Sequence, residues 1–332
     1  MKRRTFLVSL AASVAGSAPA EDFAGAWRAD GASTAPTGKT SGWGGAQGAS
    51  VYFTREISSN ALLKIYAALG IKLPGSVGVK VSTGEPGGHH FINPQMAKAL
   101  VASLDANIVE CNTAYGGRRG TLSEHIRAAL EHGWADISAV DIMDGLHTLN
   151  LPVPEGSIRL KHDIVGSHFR NYDSFLVLSH FKGHAMGGFG GALKNLSIGF
   201  ASRNGKMLIH TGGKTDLTWR GGKQLEFLEA MAEAAGAVHQ ARPNAMAYIN
   251  VANNLSVSCD CDSHPAPPTM NDIGIFASLD PVAVDQACVD AIYAAPDGKD
   301  LIARMESRQG IHILEHAAAL NLGSRAYRLI EI

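Results

Sequence analysis

From residue 58 onward the chain alternates short apolar runs with longer segments whose apolar positions recur every three or four residues. The runs SVGVKVS (76–82), ANIVECN (106–112), SFLVLSH (174–180), MAYINVA (246–252) and IGIFASL (273–279) have the length and β-branched content of buried strands. Helical spacing marks SSNALLKIYAALG (58–70), which ends at Gly70, and NPQMAKALVASL (93–104), where Pro94 follows a capping Asn93. TLSEHIRAALEHG (121–133) opens with the capping pair Thr121 and Glu124. GKQLEFLEAMAEAAG (222–236) is amphipathic, and DPVAVDQACVDAIY (280–293) begins on an Asp-Pro cap. Strands alternating with helices predict an α/β fold, a mostly parallel sheet flanked by helices.

The segments at the strand exits point to a site. TGEPGGHH (83–90), TAYGGRRG (113–120), FKGHAMGGFGG (181–191) and NNLSVSCDCDSH (253–264) are polar, mostly glycine-rich and placed directly after strands. Open α/β sheets bind ligands where such exits converge, at the carboxyl ends of the strands. One composite site assembled from distant segments is therefore expected.

Composition narrows its partners. Apolar residues make up 45% and charged residues 18%, with a formal net charge of −1. That balance argues against a nucleic-acid partner, and no run is apolar for long enough to form a stable membrane span. The start, MKRRTFLVSLAASVAGSAPA, has a basic head, an apolar centre and a small-residue exit at Ala20. This is the layout of an export signal, and Arg3-Arg4 before Phe6-Leu7 resembles the twin-arginine type. Residues 1–20 are read as that signal, 21–48 as a flexible linker and 49–332 as the α/β domain. The twin-arginine export machinery would be a partner and the periplasm the destination.

Residues 180–206 hold His180, Lys182, His184 and Lys194 among seven glycines. These four are the candidate catalytic groups, for proton transfer or for binding an anion. Gly188, Gly190, Gly191 and their neighbours would let backbone N–H groups approach a small anionic molecule, with Asn195 beside them. Neither a P-loop nor a dinucleotide fingerprint occurs here. Glu85, Asn112 and Arg118 would line the opposite wall, Arg118 as half of an arginine pair suited to carboxylate or phosphate. Cys259, Cys261 and His264 offer ligands for a transition metal such as iron, zinc or nickel. As cysteines only two positions apart, Cys259 and Cys261 are poorly placed to pair inside regular structure, and a disulfide from one of them to Cys111 stays open. Cys288 reads as a buried small hydrophobe. His125 and His132 read as structural or surface residues, Asp280 as a helix cap and Asp285 as a solvated carboxylate.

VKVSTGEPGG, VECNTAYGGRR, HGWADISAVDIMD, NYDSFLVLSHFKGHAMGGFGGALKNLSIGFASRNGK, CDCDSH and DIGIFASLDPVAVDQACVD together resemble the DUF362 family, over roughly residues 50–332. The resemblance implies an iron–sulfur-related protein, since many members carry a four-cysteine ferredoxin-like insert. This sequence lacks the insert and keeps Cys259 and Cys261. Over the glycine-rich stretch alone, His184, the glycines to Gly191 and Lys194 are similar to a lactate racemase loop whose lysine anchors a nickel-pincer nucleotide. Three functions are compatible with these residues: a metal-supported redox or acid–base enzyme, a metal-free racemase-like acid–base enzyme on a small hydroxy acid or phosphorylated metabolite, and a non-catalytic periplasmic binding protein.

Overall fold

A computed structural model describes residues 48–332. The export signal and nearly all of the linker fall in 1–47 and so lie outside the described residues. The strands are β1 (Ala49–Thr54), β2 (Val77–Lys80), β3 (Asn107–Glu110), β4 (Val140–Ile142), β5 (Thr148–Leu151), β6 (Asp163–Gly166), β7 (Ser174–His180), β8 (Lys182–His184), β9 (Gly188–Gly190), β10 (Met246–Ala252), β11 (Gly274–Ser278) and β12 (Tyr327–Glu331). The helices are α1 (Ser59–Ala68), α2 (Pro94–Ser103), α3 (Leu122–Glu131), α4 (Ala192–Lys194), α5 (Arg203–His210), α6 (Gln224–Gln240), α7 (Pro281–Ala294), α8 (Lys299–Ser307) and α9 (His312–Ala319).

Eight strands form one sheet in the order β12-β1-β11-β10-β7-β2-β3-β4. All neighbours are parallel except those of β11, which runs antiparallel to β1 and β10. The fold is α/β with a mostly parallel sheet, as the alternation of patterns predicts. All five expected strands form, shortened by up to three residues. β1 and the edge strand β12 were not expected. β12 is only partly buried and carries no continuous apolar run, so its pairing with β1 is visible only in three dimensions.

The period of two along each strand divides the sheet into two faces. Leu176 and Leu178 of β7, with Ala247, Ile249 and Val251 of β10, pack against Leu62 and Ile65 of α1 and Leu100 and Val101 of α2. Each such fully buried aliphatic side chain contributes roughly 1.5–3 kcal/mol. The alternate residues leave the first face, and among them are polar groups: Lys80, Ser179 and Asn250 are all buried. Helix starts agree with the sequence signals, with Ser58, Asn93, Thr121 and Asp280 each accepting from a backbone N–H of the first turn.

The stretch after β7 is not one glycine loop. It folds as the hairpin β8–β9, then the single turn α4, a π-helical turn over Asn195–Gly199, and α5. Asp285 of α7 holds this unit down. Its Oδ1 accepts Ala192 N–H (2.7 Å) and Asn250 Nδ2–H (2.7 Å), and its Oδ2 accepts Leu193 N–H (2.9 Å). The solvated carboxylate expected at this position is thus a fully buried one. The sequence shows its place in the helix but not the facing backbone. Asp285→Ala leaves three buried donors unpaired, and chemical denaturation should show a loss of about 2–4 kcal/mol.

Candidate functional site

From β2 the chain moves outward to β3 and β4, while β7 leads the other way through β10 to β11. The neighbours β2 and β7 therefore mark the switch point, where the loops diverge and a crevice opens beyond the carboxyl ends. A cavity of about 230 Å³ lies there. Its lining includes Lys80 and Glu110 from the ends of β2 and β3, His180 from the end of β7, and Lys194 from α4. Trp219 and Met186 supply apolar wall.

Charge is the main feature of this cavity. Lys80, Arg119, Lys182, Lys194 and Lys206 line it, against Glu110 as the lining acid. Three of these cations are neutralised by buried carboxylates. Lys80 Nζ reaches Glu110 (2.9 Å), Arg119 reaches Glu85 (3.1 Å) and Glu110 (3.4 Å), and Lys182 reaches Asp260 (2.8 Å). Burial pushes the Glu110 carboxyl up, but Lys80, His125, Arg119 and Lys206 outweigh it and hold the group at about 2. Asp260 is held well below the carboxylate range, burial being overcome by Lys182 and His180. Among the described residues Lys206 bonds only backbone carbonyls, of Ala201 (2.5 Å) and Cys111 (3.4 Å). Among the described residues Lys194 has no hydrogen-bond or ion-pair partner. Loss of water around it, together with the neighbouring Lys182, lowers its amine to about 7.

The histidines divide by what their nitrogens touch. His180 meets Asp260 Oδ1 at Nδ1 (2.7 Å) and the Asn253 carbonyl at Nε2 (2.6 Å). Both partners are acceptors, so both ring nitrogens are committed to the protein itself. His184 accepts Gly187 N–H at Nδ1 (2.8 Å), which leaves its ring proton on Nε2. Burial, reinforced by Lys194, keeps that ring neutral. His210 is its complement: Nδ1 donates to the Lys206 carbonyl (2.6 Å), leaving Nε2 a bare acceptor, and burial holds the ring at about 4. Both line the cavity, one as a donor and the other as a base.

Cys259 and Cys261 are bonded to each other, and Cys111 and Cys288 are free and buried. The expectation of poor geometry applied to pairing inside regular structure, and this pair lies elsewhere. The segment is a turn outside regular structure, where the backbone bends enough for the sulfurs to meet. His264 is exposed and bonds Ser263 (3.0 Å), away from them. The third metal-capable side chain is instead His184, and ligand atoms of His184, Cys259 and Cys261 all lie within 4.8 Å of one another. Joined sulfurs offer no thiolate, so the oxidised pair does not fit a transition metal.

Of the residues singled out from sequence, His180, Lys182, His184, Lys194, Gly190, Gly191, Asn195 and Cys261 line the cavity. Asn195 is tied down, its Oδ1 taking Lys80 (3.0 Å) and its Nδ2 reaching Ser179 (3.1 Å). Glu85 stands behind Arg119 rather than on the wall, and Asn112 is buried nearby with its Oδ1 unpartnered. Arg118 points away to an exposed pair with Glu131 (2.6 Å), so the cavity arginine is Arg119, one position on. Gly188 packs against Gly310. Directly after Gly191, the N–H groups of Ala192 and Leu193 are taken by Asp285, which ties this stretch to α7. Gly191 is small because a Cβ there would stand 2.3 Å from Asp285 Oδ1, and Gly199 because one would stand 2.5 Å from Asn195 Oδ1. Lys206, His210 and Asp260 were not singled out. A polar residue ending or following an apolar strand marks Lys80 and Glu110, but nothing local marks Lys206 or His210.

A cation-lined cavity at the switch point of a parallel α/β sheet defines the class of protein. The chain belongs to the family described as domain of unknown function DUF362, which it matches over residues 77–290. No curated protein matches it. Among solved structures it is similar to the lactate racemase apoprotein from Thermoanaerobacterium thermosaccharolyticum, at 14% identity and TM-score 0.44, covering 74% of this chain and 57% of that one. It is also similar to a protein from Thermotoga maritima, at 12% identity and TM-score 0.43, covering 70% and 57%. The chain thus spans a little over half the length of each.

An amine at about 7 in the folded protein and 10.5 when exposed binds fewer protons folded than unfolded between those values. Stability therefore rises with pH across that window, and the cost of the charged amine is fully present below about pH 7. Lys194→Met should raise stability on the order of 1–3 kcal/mol near pH 6, and by clearly less near pH 9. Denaturant titration at the two pH values measures this.

Proposed function

We propose that the cavity is the active site of an acid–base enzyme acting on a small anionic metabolite, a hydroxy acid or a phosphorylated compound. One observation carries the reading: Lys194 reaches the cavity without an acid partner and is lowered to about 7, where an amine exchanges protons readily near neutrality. Lys206, also without a carboxylate partner among the described residues, adds the second uncompensated charge that draws an anion in. His184 serves as hydrogen-bond donor to the substrate and His210 as a second base. Two basic groups in one cavity suit removal and return of a proton at a carbon next to a carboxylate, as racemisation requires. Arg119 and Lys80, held by Glu85 and Glu110, form a fixed part of the cavity wall. In this reading the protein works in the periplasm, reached through the twin-arginine-type signal, and needs no metal for the proton transfer.

The metal-supported reading expected from Cys259, Cys261 and His264 is not adopted for the oxidised protein, because its sulfurs are committed to each other.

The test is proton exchange. The protein is incubated in deuterium oxide with a panel of small 2-hydroxy acids and phosphorylated hydroxy acids, and NMR detects deuterium entering at the carbon beside the acid. Exchange with at least one compound is expected, falling by about 10²–10⁴-fold in Lys194→Met. Its pH profile should rise through about 7. Tight binding of an anion with no exchange would reassign the cavity to ligand capture, and exchange unchanged in Lys194→Met would remove the lysine from the mechanism.

A further inference from the structure

The segment Cys259-Asp260-Cys261 holds chemistry that the acid–base reading leaves unused. Its two sulfurs are joined, Cys261 lines the cavity, and His184 stands against the pair from β8. Asp260, between the cysteines, is anchored independently of the disulfide. Its carboxylate takes His180 (2.7 Å) and Lys182 (2.8 Å), and its carbonyl takes the Glu85 N–H (2.7 Å). Cutting the sulfur bond therefore leaves this turn tethered at its middle, and both sulfurs stay beside the imidazole.

We propose that Cys259, Cys261 and His184 form a redox-gated site for a soft divalent metal ion in the wall of the cavity, closed when the cysteines are oxidised and open when they are reduced. Opening takes two electrons and two protons from a dithiol reductant, which becomes a disulfide as Cys259 and Cys261 become thiols. The metal then displaces the two thiol protons and is held by two thiolates and an imidazole nitrogen. Zinc with sulfur at about 2.3 Å and nitrogen at about 2.0–2.1 Å needs its ligand atoms roughly 3.5 Å apart. The 4.8 Å spread of the three groups meets this with small side-chain movement. Two thiolates and a histidine favour zinc, cobalt or nickel over magnesium or calcium. Nδ1 of His184 accepts the Gly187 N–H, and whichever ring nitrogen meets the metal must carry no proton. Three protein ligands leave a fourth position for a small molecule, and Cys261 and His184 both border the cavity. The metal site is independent of the role given to Lys194, and the two stand or fall separately.

The probe is cobalt(II), whose bonds to thiolate give a near-ultraviolet charge-transfer band. Untagged protein is compared as the disulfide and after reduction by a trialkylphosphine, which leaves as its oxide with oxygen taken from water. One cobalt per chain with the sulfur band is expected in the reduced protein only. Cys259→Ser and Cys261→Ser should each halve the band or remove it. His184→Gln should weaken cobalt binding by at least about tenfold, the lower end of what losing even an outer partner of a metal-bound histidine costs. His264→Ala should leave it unchanged. No sulfur-to-cobalt band after reduction, equal binding by the oxidised protein, or dependence on His264 in place of His184 would overturn the proposal. The comparison of oxidised with reduced wild type needs no variant to fold.

Discussion

A buried carboxylate shared between two cations, Glu110 between Lys80 and Arg119, is the interaction on which the cavity depends. Taking any of these charges out of water costs several kcal/mol, and only close, well-hydrogen-bonded partners offset it. Glu85 completes Arg119, and Asp260 does the same for Lys182 and His180. Once these pairs are made, Lys194 and Lys206 stand without a carboxylate partner among the described residues. The uneven neutralisation, rather than the number of basic residues, gives the cavity its character. A cation balanced by the protein is a fixed part of the wall, whereas an unbalanced one is available to a ligand.

The glycines around residue 190 serve the same arrangement. They are followed by the N–H groups of Ala192 and Leu193, which Asp285 takes. Their lack of a side chain makes room for Asp285, Asn195 and Lys80 to sit against the backbone. The hairpin, α4 and the π-helical turn are held between α7 and the ends of β2 and β7. That is how Lys194 comes to be partly shielded from water without being paired among the described residues.

Much of this architecture was legible in the chain. Strand runs, helix caps and polar exits obey local rules, since a period of two or of three to four and a capping side chain act within a few residues. The site was legible in outline. His184 and Lys194 stand out because they sit among glycines after an apolar strand. Arg118 and Arg119 look alike in sequence, and only the turn decides which enters the cavity. His264 lies three positions from Cys261, yet His184, 75 or more positions from both cysteines, is the side chain that meets the sulfurs. Asp285 looked solvated on its helix because nothing local shows what faces it.

The sequence by itself determined the α/β class, the order of elements and the segments from which a site would be drawn, because these depend on near-neighbour chemistry along the chain. The tertiary structure decided which charges cancel, which histidine nitrogens donate or accept, and which cysteines meet. Those outcomes depend on distances of a few ångströms between residues far apart in sequence, set by the register of β2, β3, β7 and β10 and by what packs over their ends.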